Sequence, residues 1–117
     1  MRMELDRREL LGRQVKAFLD IVILAVLNGE PMHGYDILAS IHKRFGVLLS
    51  PGTLYPLLHS LERARLIEAR TFKWRRVYMV NQKGKEKLRD TFMVYRAVTQ
   101  DISSFMNENL KGRSLSA

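Results

Sequence analysis

The chain contains no cysteine. That excludes a disulfide scaffold, a thiolate metal site and a cysteine nucleophile, and it fits a reducing compartment. Long apolar runs are missing too: the longest, Ile21 to Leu27, is seven residues, where a membrane-spanning helix needs about 20. Glu4, Asp6 and Glu9 spoil a basic leader and Asp20 abuts the apolar run, so no signal peptide and no membrane partner are expected, and the protein is placed in the cytoplasm. Paired carboxylates, a nucleophile–base set and a Gly-rich phosphate loop are all lacking, which argues against an enzyme. His33, His42 and His59 have no ligand spacing, so neither a metal nor a cofactor is expected. Acid is scarce as well: Asp and Glu total 12 against 20 Lys and Arg, a formal net charge of +8.

What is present suits one small soluble domain, 117 residues that are 46% hydrophobic and 27% charged. A small basic protein has a physical reason to seek a polyanion. The charge is concentrated. Residues 63–89 hold Arg63, Arg65, Arg70, Lys73, Arg75, Arg76, Lys83, Lys85, Lys87 and Arg89 against Glu68 and Glu86, a net of +8, while residues 1–50 net only +1. Such a block across several elements points to a binding surface rather than a solvated face.

Periodicity predicts five elements before any fold is assumed. A first helix runs over about 8–28 and stops at Asn28–Gly29. Its second half is apolar nearly all round, so one side meets the core while Phe18 and Val22 are assigned to a partner chain. Gly34 to Phe45 form a second helix, ended by Gly46. In the third, Leu54, Leu57, Leu58 and Leu61 make an apolar stripe opposite Gly52, Pro56, His59 and Arg63. Pro56 favours a loose or tight-turned opening at 50–53 and regular helix after it. Two period-two segments, around Leu66–Phe72 and Arg75–Val80, make a hairpin with its tip at Lys73–Trp74. Asn81 caps a last helix over about 82–110. There Leu88, Phe92, Tyr95, Thr99, Ile102 and Met106 recur at spacings of four and three, a heptad seam expected to pair with a second copy.

Two helices joined by a short turn and followed by a basic hairpin make a winged helix-turn-helix. The fold expected is mostly α with a small β-hairpin and a long C-terminal dimerisation helix. Residues 1–81 would be the DNA-binding domain, 82–111 the dimerisation helix and 112–117 a frayed tail. The third helix has the apolar face that anchors it and the small polar face that approaches base edges, and its opening, Ser50 to Thr53, offers hydroxyls and backbone N–H groups to a phosphate. The expected DNA contacts are Tyr35, Ser50, Gly52, Thr53, Tyr55, His59, Arg63, Lys73, Arg75 and Arg76, on double-stranded DNA. Two such domains would read half-sites about 34 Å apart.

These residues also carry a family resemblance. Ile23-Leu-Ala-Val-Leu-Asn-Gly-Glu-Pro-Met-His-Gly-Tyr-Asp-Ile37 resembles the opening signature of PadR-type transcriptional regulators. Ser50-Pro-Gly-Thr-Leu-Tyr-Pro-Leu-Leu58, then Leu61-Glu62 and Leu66-Ile67, looks like that family's recognition-helix segment, and Arg75-Arg76-Val77-Tyr78 with Lys83-Gly84 resembles the family's next strand and helix start. The match spans about residues 18–90. It implies a dimeric DNA-binding repressor in which the wing strengthens the grip and the first and last helices form the dimer. The chain departs from the family in a short wing bearing Trp74 and in Asn81–Gln82, where Thr–Glu is common.

Several side chains have two readings. Tyr35 either offers its hydroxyl to a phosphate or packs at its helix start. Tyr55 is read as reaching toward DNA. Trp74 is expected to pack over the long helix, with stacking in a groove as the alternative. Phe92, Tyr95 and Met106 are read as plain interface before an effector pocket, so a small-molecule effector stays open. The competing function is a winged-helix protein-interaction module.

Overall fold

The computed structural model describes residues 6–111; the expected frayed tail, 112–117, lies outside them. The order is α1 (Arg7–Ala17), α2 (Leu19–Gly29), β1 (Met32–His33), α3 (Gly34–Phe45), α4 (Pro51–Arg63), β2 (Ile67–Phe72), β3 (Arg75–Val80) and α5 (Gln82–Lys111). The fold is mostly helical with one small antiparallel sheet, as the sequence suggests.

The first expected helix is two. Asp6 caps α1 by accepting the Glu9 N–H at 2.8 Å. The chain bends at Phe18, whose φ of −116° and ψ of 34° are not helical. Just past the bend, Asp20 Oδ1 accepts the Ile21 N–H at 2.8 Å, serving a first-turn donor of α2 that has no partner within its helix. Across the bend, α1 still reaches the core through buried Val15 and half-buried Leu11.

The hairpin has a third strand. β1 pairs with β3, Met32 opposite Tyr78 and His33 opposite Val77, so the sheet order is β1-β3-β2. Two residues are too few to show a period, so no sequence pattern marks this strand. β2 and β3 pair in continuous register from Ile67–Val80 to Phe72–Arg75.

Ile23, Leu24, Ile37, Ile41, Leu54 and Leu58 are fully buried and bring α2, α3 and α4 together, with Ile67 and Tyr78 closing the core from the sheet. The third helix corrects one expectation. It is helical from Pro51, with Ser50 as N-cap and Pro56 inside, although a bond from Thr53 N–H to the Ser50 carbonyl at 3.0 Å tightens its first turn. Pro56 is tolerated because it and Gly52, whose carbonyl it leaves unserved, are both exposed to solvent.

α4 ends in a Schellman motif. Leu66 N–H reaches the Leu61 carbonyl at 3.0 Å and Arg65 N–H the Glu62 carbonyl at 2.9 Å, with Arg65 in the left-handed region at φ 59°. Asn81 then ties this end to α5. Its Oδ1 accepts the Gly84 N–H at 2.8 Å, the expected cap, while its Nδ2 donates to the Arg65 carbonyl at 2.7 Å. Its backbone N–H donates to the Leu66 carbonyl at 3.2 Å. A Cβ on Gly84 would overlap that same carbonyl and stand 2.6 Å from Val80 Cγ2, so only glycine lets α5 start here.

α5 extends about 45 Å at helical rise and enters the core only at its root, through Gly84 and half-buried Leu88. The radius of gyration is accordingly 17.8 Å, where a compact chain of this length would have about 13 Å.

Replacing Gly84 with Ala is expected to lower stability by about 1–3 kcal/mol despite alanine's better helix propensity, read as a lower urea midpoint. Arg65→Gly is expected to raise the midpoint slightly, by on the order of 0.5 kcal/mol, because glycine meets no Cβ penalty there. Equal midpoints for Gly84→Ala and the native chain would contradict the close approach.

Candidate nucleic-acid interface

α4 buries Leu54, Leu58 and Leu61 and exposes Ser50, Gly52, Thr53, Pro56, His59, Ser60 and Arg63. The expected face is therefore the solvent face. Its anion-holding end is weaker than the sequence suggests. Pro51 has no N–H, and the Thr53 N–H already meets the Ser50 carbonyl and Ser50 Oγ, the latter at 3.2 Å. The two hydroxyls lie 3.2 Å apart and bond each other.

The two tyrosines part ways. Tyr35 is 65% exposed, so it does not pack at the start of α3. Tyr55 is half-buried and does not project: its hydroxyl end lies where a Cβ on Gly34 would be, which is why α3 begins with glycine. Both line a surface cleft of about 420 Å³ with His33, Arg75, Arg76 and Tyr78.

Hydrogen bonds hold the cations of β3 over this cleft. Arg76 donates to Glu62 Oε2 at 2.8 Å, joining the hairpin to the last turn of α4. That bond raises the Arg76 pKa above its ordinary value, so the guanidinium is a fixed cation. Arg75 Nη1 is 3.0 Å from His33 Nε2, which is also 2.9 Å from Asp36 Oδ2. The same ring nitrogen therefore lies within reach of both the Arg75 guanidinium and the Asp36 carboxylate. Nothing in the sequence pattern marks the Glu62–Arg76 or His33–Arg75 pairs, which join residues far apart in the chain, whereas His33–Asp36 is a local i,i+3 contact.

The hairpin turn has Lys73 at φ 47° and Trp74 at φ 71°. Two successive left-handed residues in a two-residue loop are the mark of a type I′ turn, here without the usual Asn or Gly. Trp74 is 99% exposed. The expected packing over the long helix is wrong, because the indole at this turn is covered by no other element among the described residues.

The basic block also divides. Lys83 donates to the Ala64 carbonyl at 3.2 Å, and Lys85 and Arg89 border a groove between α1, α2 and α5. These cations sit at the root of the long helix. Arg63, Lys73, Arg75 and Arg76 sit with α4 and the hairpin.

The groove has a volume of about 650 Å³ and is lined by Leu11, Val15, Phe18, Ile21, Val22, Phe92 and other largely apolar side chains. Part of the predicted seam is used within the chain. Phe18 meets Tyr95 edge-on at 4.8 Å between centroids, Tyr95 donates to Gln14 Oε1 at 3.0 Å, and Leu88 packs on the core. Phe92, Ile102 and Met106 are each more than half exposed and Thr99 is exposed as well. Among the described residues no three of His, Asp and Glu come together to hold a metal ion.

A three-stranded winged helix-turn-helix with a long final helix narrows the comparison, and the sequence decides it. The model of the transcriptional regulator PadR-like family matches residues 23–90. The chain belongs to that family. It is a DNA-binding transcription regulator and not an enzyme. The fold is that of a PadR family regulator from Eggerthella lenta, which is 21% identical with a TM-score of 0.76, covering 90% of this chain and 92% of that one. A transcriptional regulator from Clostridium thermocellum, 19% identical with a TM-score of 0.73, covers 80% and 97%. A PadR-like regulator from Bacillus cereus, 25% identical with a TM-score of 0.64, covers 86% and 99%. No curated protein matches the chain.

Tyr78 gives a pH test of the cleft wall. Burial is the main cause that raises its pKa above the ordinary 10. The native phenol therefore keeps its proton where the unfolded chain loses it. Its contribution to stability is intact below about pH 10 and falls as pH rises through the folded value. Urea midpoints compared at pH 8 and pH 11 are expected to drop less in Tyr78→Phe than in the native protein; an equal drop would contradict the burial.

Proposed function

We propose that this PadR-like regulator is a homodimeric repressor that reads a palindromic operator with α4 and grips the flanking backbone with the β2–β3 hairpin. The observation that carries the proposal is the two-sided character of α4. Three leucines fix its inner face while small and polar residues line the outer face, and the hairpin cations stand beside it through the Glu62–Arg76 bond. A helix enters the major groove only if its outer face can approach base edges closely.

In this scheme Gly52, Pro56 and Ser60 allow the approach, while Thr53, His59 and Arg63 reach base edges or phosphates. Tyr35, Ser50, Lys73 and Arg75 meet the backbone. Tyr55 and Arg76 take a different part from the one the sequence suggests. Tyr55 sets the spacing of α3 and α4 through Gly34, and Arg76 fixes the wing to α4 while lending its charge.

Pairing is assigned to the apolar residues that α5 leaves uncovered. Phe92, Ile102 and Met106 continue beyond Phe18 and Val22 as one surface, and a second copy is the partner that presents the complementary helix. Repression then needs only occupancy of the operator. A small apolar effector would have the α1–α2–α5 groove to enter, but repression by this route requires none. No helix among the described residues is long and apolar enough to cross a membrane, and a DNA partner places the protein in the cytoplasm.

Selection of bound sequences from random DNA tests the proposal. A palindrome with half-sites about one helical turn apart is expected; no enrichment over input would refute it. On the recovered duplex, Arg63→Ala is expected to reduce the slope of log K against log salt by about one, the loss of one phosphate contact. An unchanged slope would remove Arg63 from the backbone contacts.

A further inference from the structure

Trp74 is the only tryptophan of the chain and is 99% exposed. Burying so large an apolar surface is normally favourable, so its complete exposure at a fixed position calls for a partner. The position is fixed, because Lys73 and Trp74 both hold the left-handed conformation of a tight turn. Trp74 stands four residues beyond Tyr78, the last buried residue of β3, hence about 13 Å out along the strand. Phe72, two residues earlier at the end of β2, is 64% exposed, with Lys73 Nζ 5.5 Å from its ring centroid. Arg75 faces Phe72 across the strands. The tip is thus a short aromatic point with cations at its shoulders.

We propose that Trp74 is a wedge that enters the minor groove beside the recognition site, stacks against a base step and bends the duplex. This rests on the DNA-binding reading above. A groove about 6 Å wide and 7.5 Å deep admits a hairpin tip but not a helix, and apolar side chains inserted there unstack one step and kink the axis. Lys73 and Arg75 meet the phosphates on either side of the groove, which a purely apolar partner would leave unpaired. Steps that unstack easily, pyrimidine–purine steps such as TA, are the ones the wedge favours. Trp74 thereby adds sequence preference outside the bases that α4 reaches.

The single indole makes the test direct. The probe is a 30-base-pair duplex carrying the palindrome recovered by selection, labelled at both ends, and titrated with the full chain. Binding is followed by label anisotropy, bending by energy transfer between the labels, and Trp74 by its own emission. The expected result is strong quenching of Trp74 emission, its protection from acrylamide, and increased energy transfer. Trp74→Ala is expected to weaken binding about tenfold, the scale of one lost base–aromatic stack, and to remove most of the bend. Trp74→Phe restores most of both. Thermal unfolding of the two variants should match the native chain, since the indole touches no core residue. Unchanged Trp74 emission while anisotropy rises would overturn the wedge and leave DNA binding standing. So would a Trp74→Ala variant that binds and bends like the native chain. No anisotropy change with the native chain would overturn both. Blue-shifted emission on anionic phosphatidylglycerol vesicles, with none on the duplex, would assign the tip to a membrane surface instead and also overturn the wedge.

Discussion

The carbonyl of Leu66 is the point on which the fold turns. The residue's N–H closes the end of α4, its carbonyl receives the Asn81 N–H, and Gly84 of α5 lies directly against it. Buried backbone groups must be satisfied, and this one peptide segment satisfies the end of one helix and the start of another. The hairpin is inserted between them. Its two strands leave and return through the same point, so α4, the wing and the root of α5 form one rigid unit rather than three hinged parts. Asn81 reinforces the unit by capping α5 with its oxygen and holding the Arg65 carbonyl with its nitrogen.

That rigidity gives the exposed surfaces their consequences. Glu62 and Arg76 tie the outer end of α4 to β3, so the polar face of the helix and the cations of the hairpin keep a set spacing. At the other end of the unit α5 leaves the core after Leu88, touches α1 and the bend once more through Tyr95, and then carries Ile102, Phe105 and Met106 more than half exposed among the described residues. Under the proposed pairing, the distance between two recognition helices would be set by where α5 leaves the domain, which Gly84 determines. The division of the basic block obeys the same plan. Under the proposal Arg63, Lys73, Arg75 and Arg76 would face DNA, whereas Lys85 and Arg89 border the groove where a second copy would dock and Lys83 is held by the Ala64 carbonyl.

Much of this is legible in the sequence where the signal is local. Gly46 after Phe45, the Ser50–Pro51 cap, the alternation around Ala69 and Val77, and Asn81 before Gln82 each mark an element through its own chemistry. What escapes depends on residues far apart in the chain. β1 is two residues long and exists only because β3 offers an edge. The bend at Phe18 falls in a stretch, Arg13 to Asn28, with neither glycine nor proline to mark it. Pro56 reads as an interior cost until its carbonyl partner is seen to face water. Tyr55 looks free to reach outward until Gly34 supplies the place where it rests. Trp74 reads as a packing residue because a large ring is usually buried, and a turn with two left-handed residues reverses that expectation.

In the proposed assembly two copies, joined through α5 and the face of α2, form the unit that engages DNA. Light scattering of the purified protein, alone and with the selected duplex, tests it most directly when the native chain is compared with Ile102→Glu, which places a charge in the uncovered seam. Native protein is predicted at twice the 13.6 kDa of one chain, and at two chains per duplex. Ile102→Glu is predicted to be monomeric and to bind far more weakly, with its helical content retained. A native monomer that binds one chain per duplex, or an Ile102→Glu variant that still pairs and binds normally, would contradict the account.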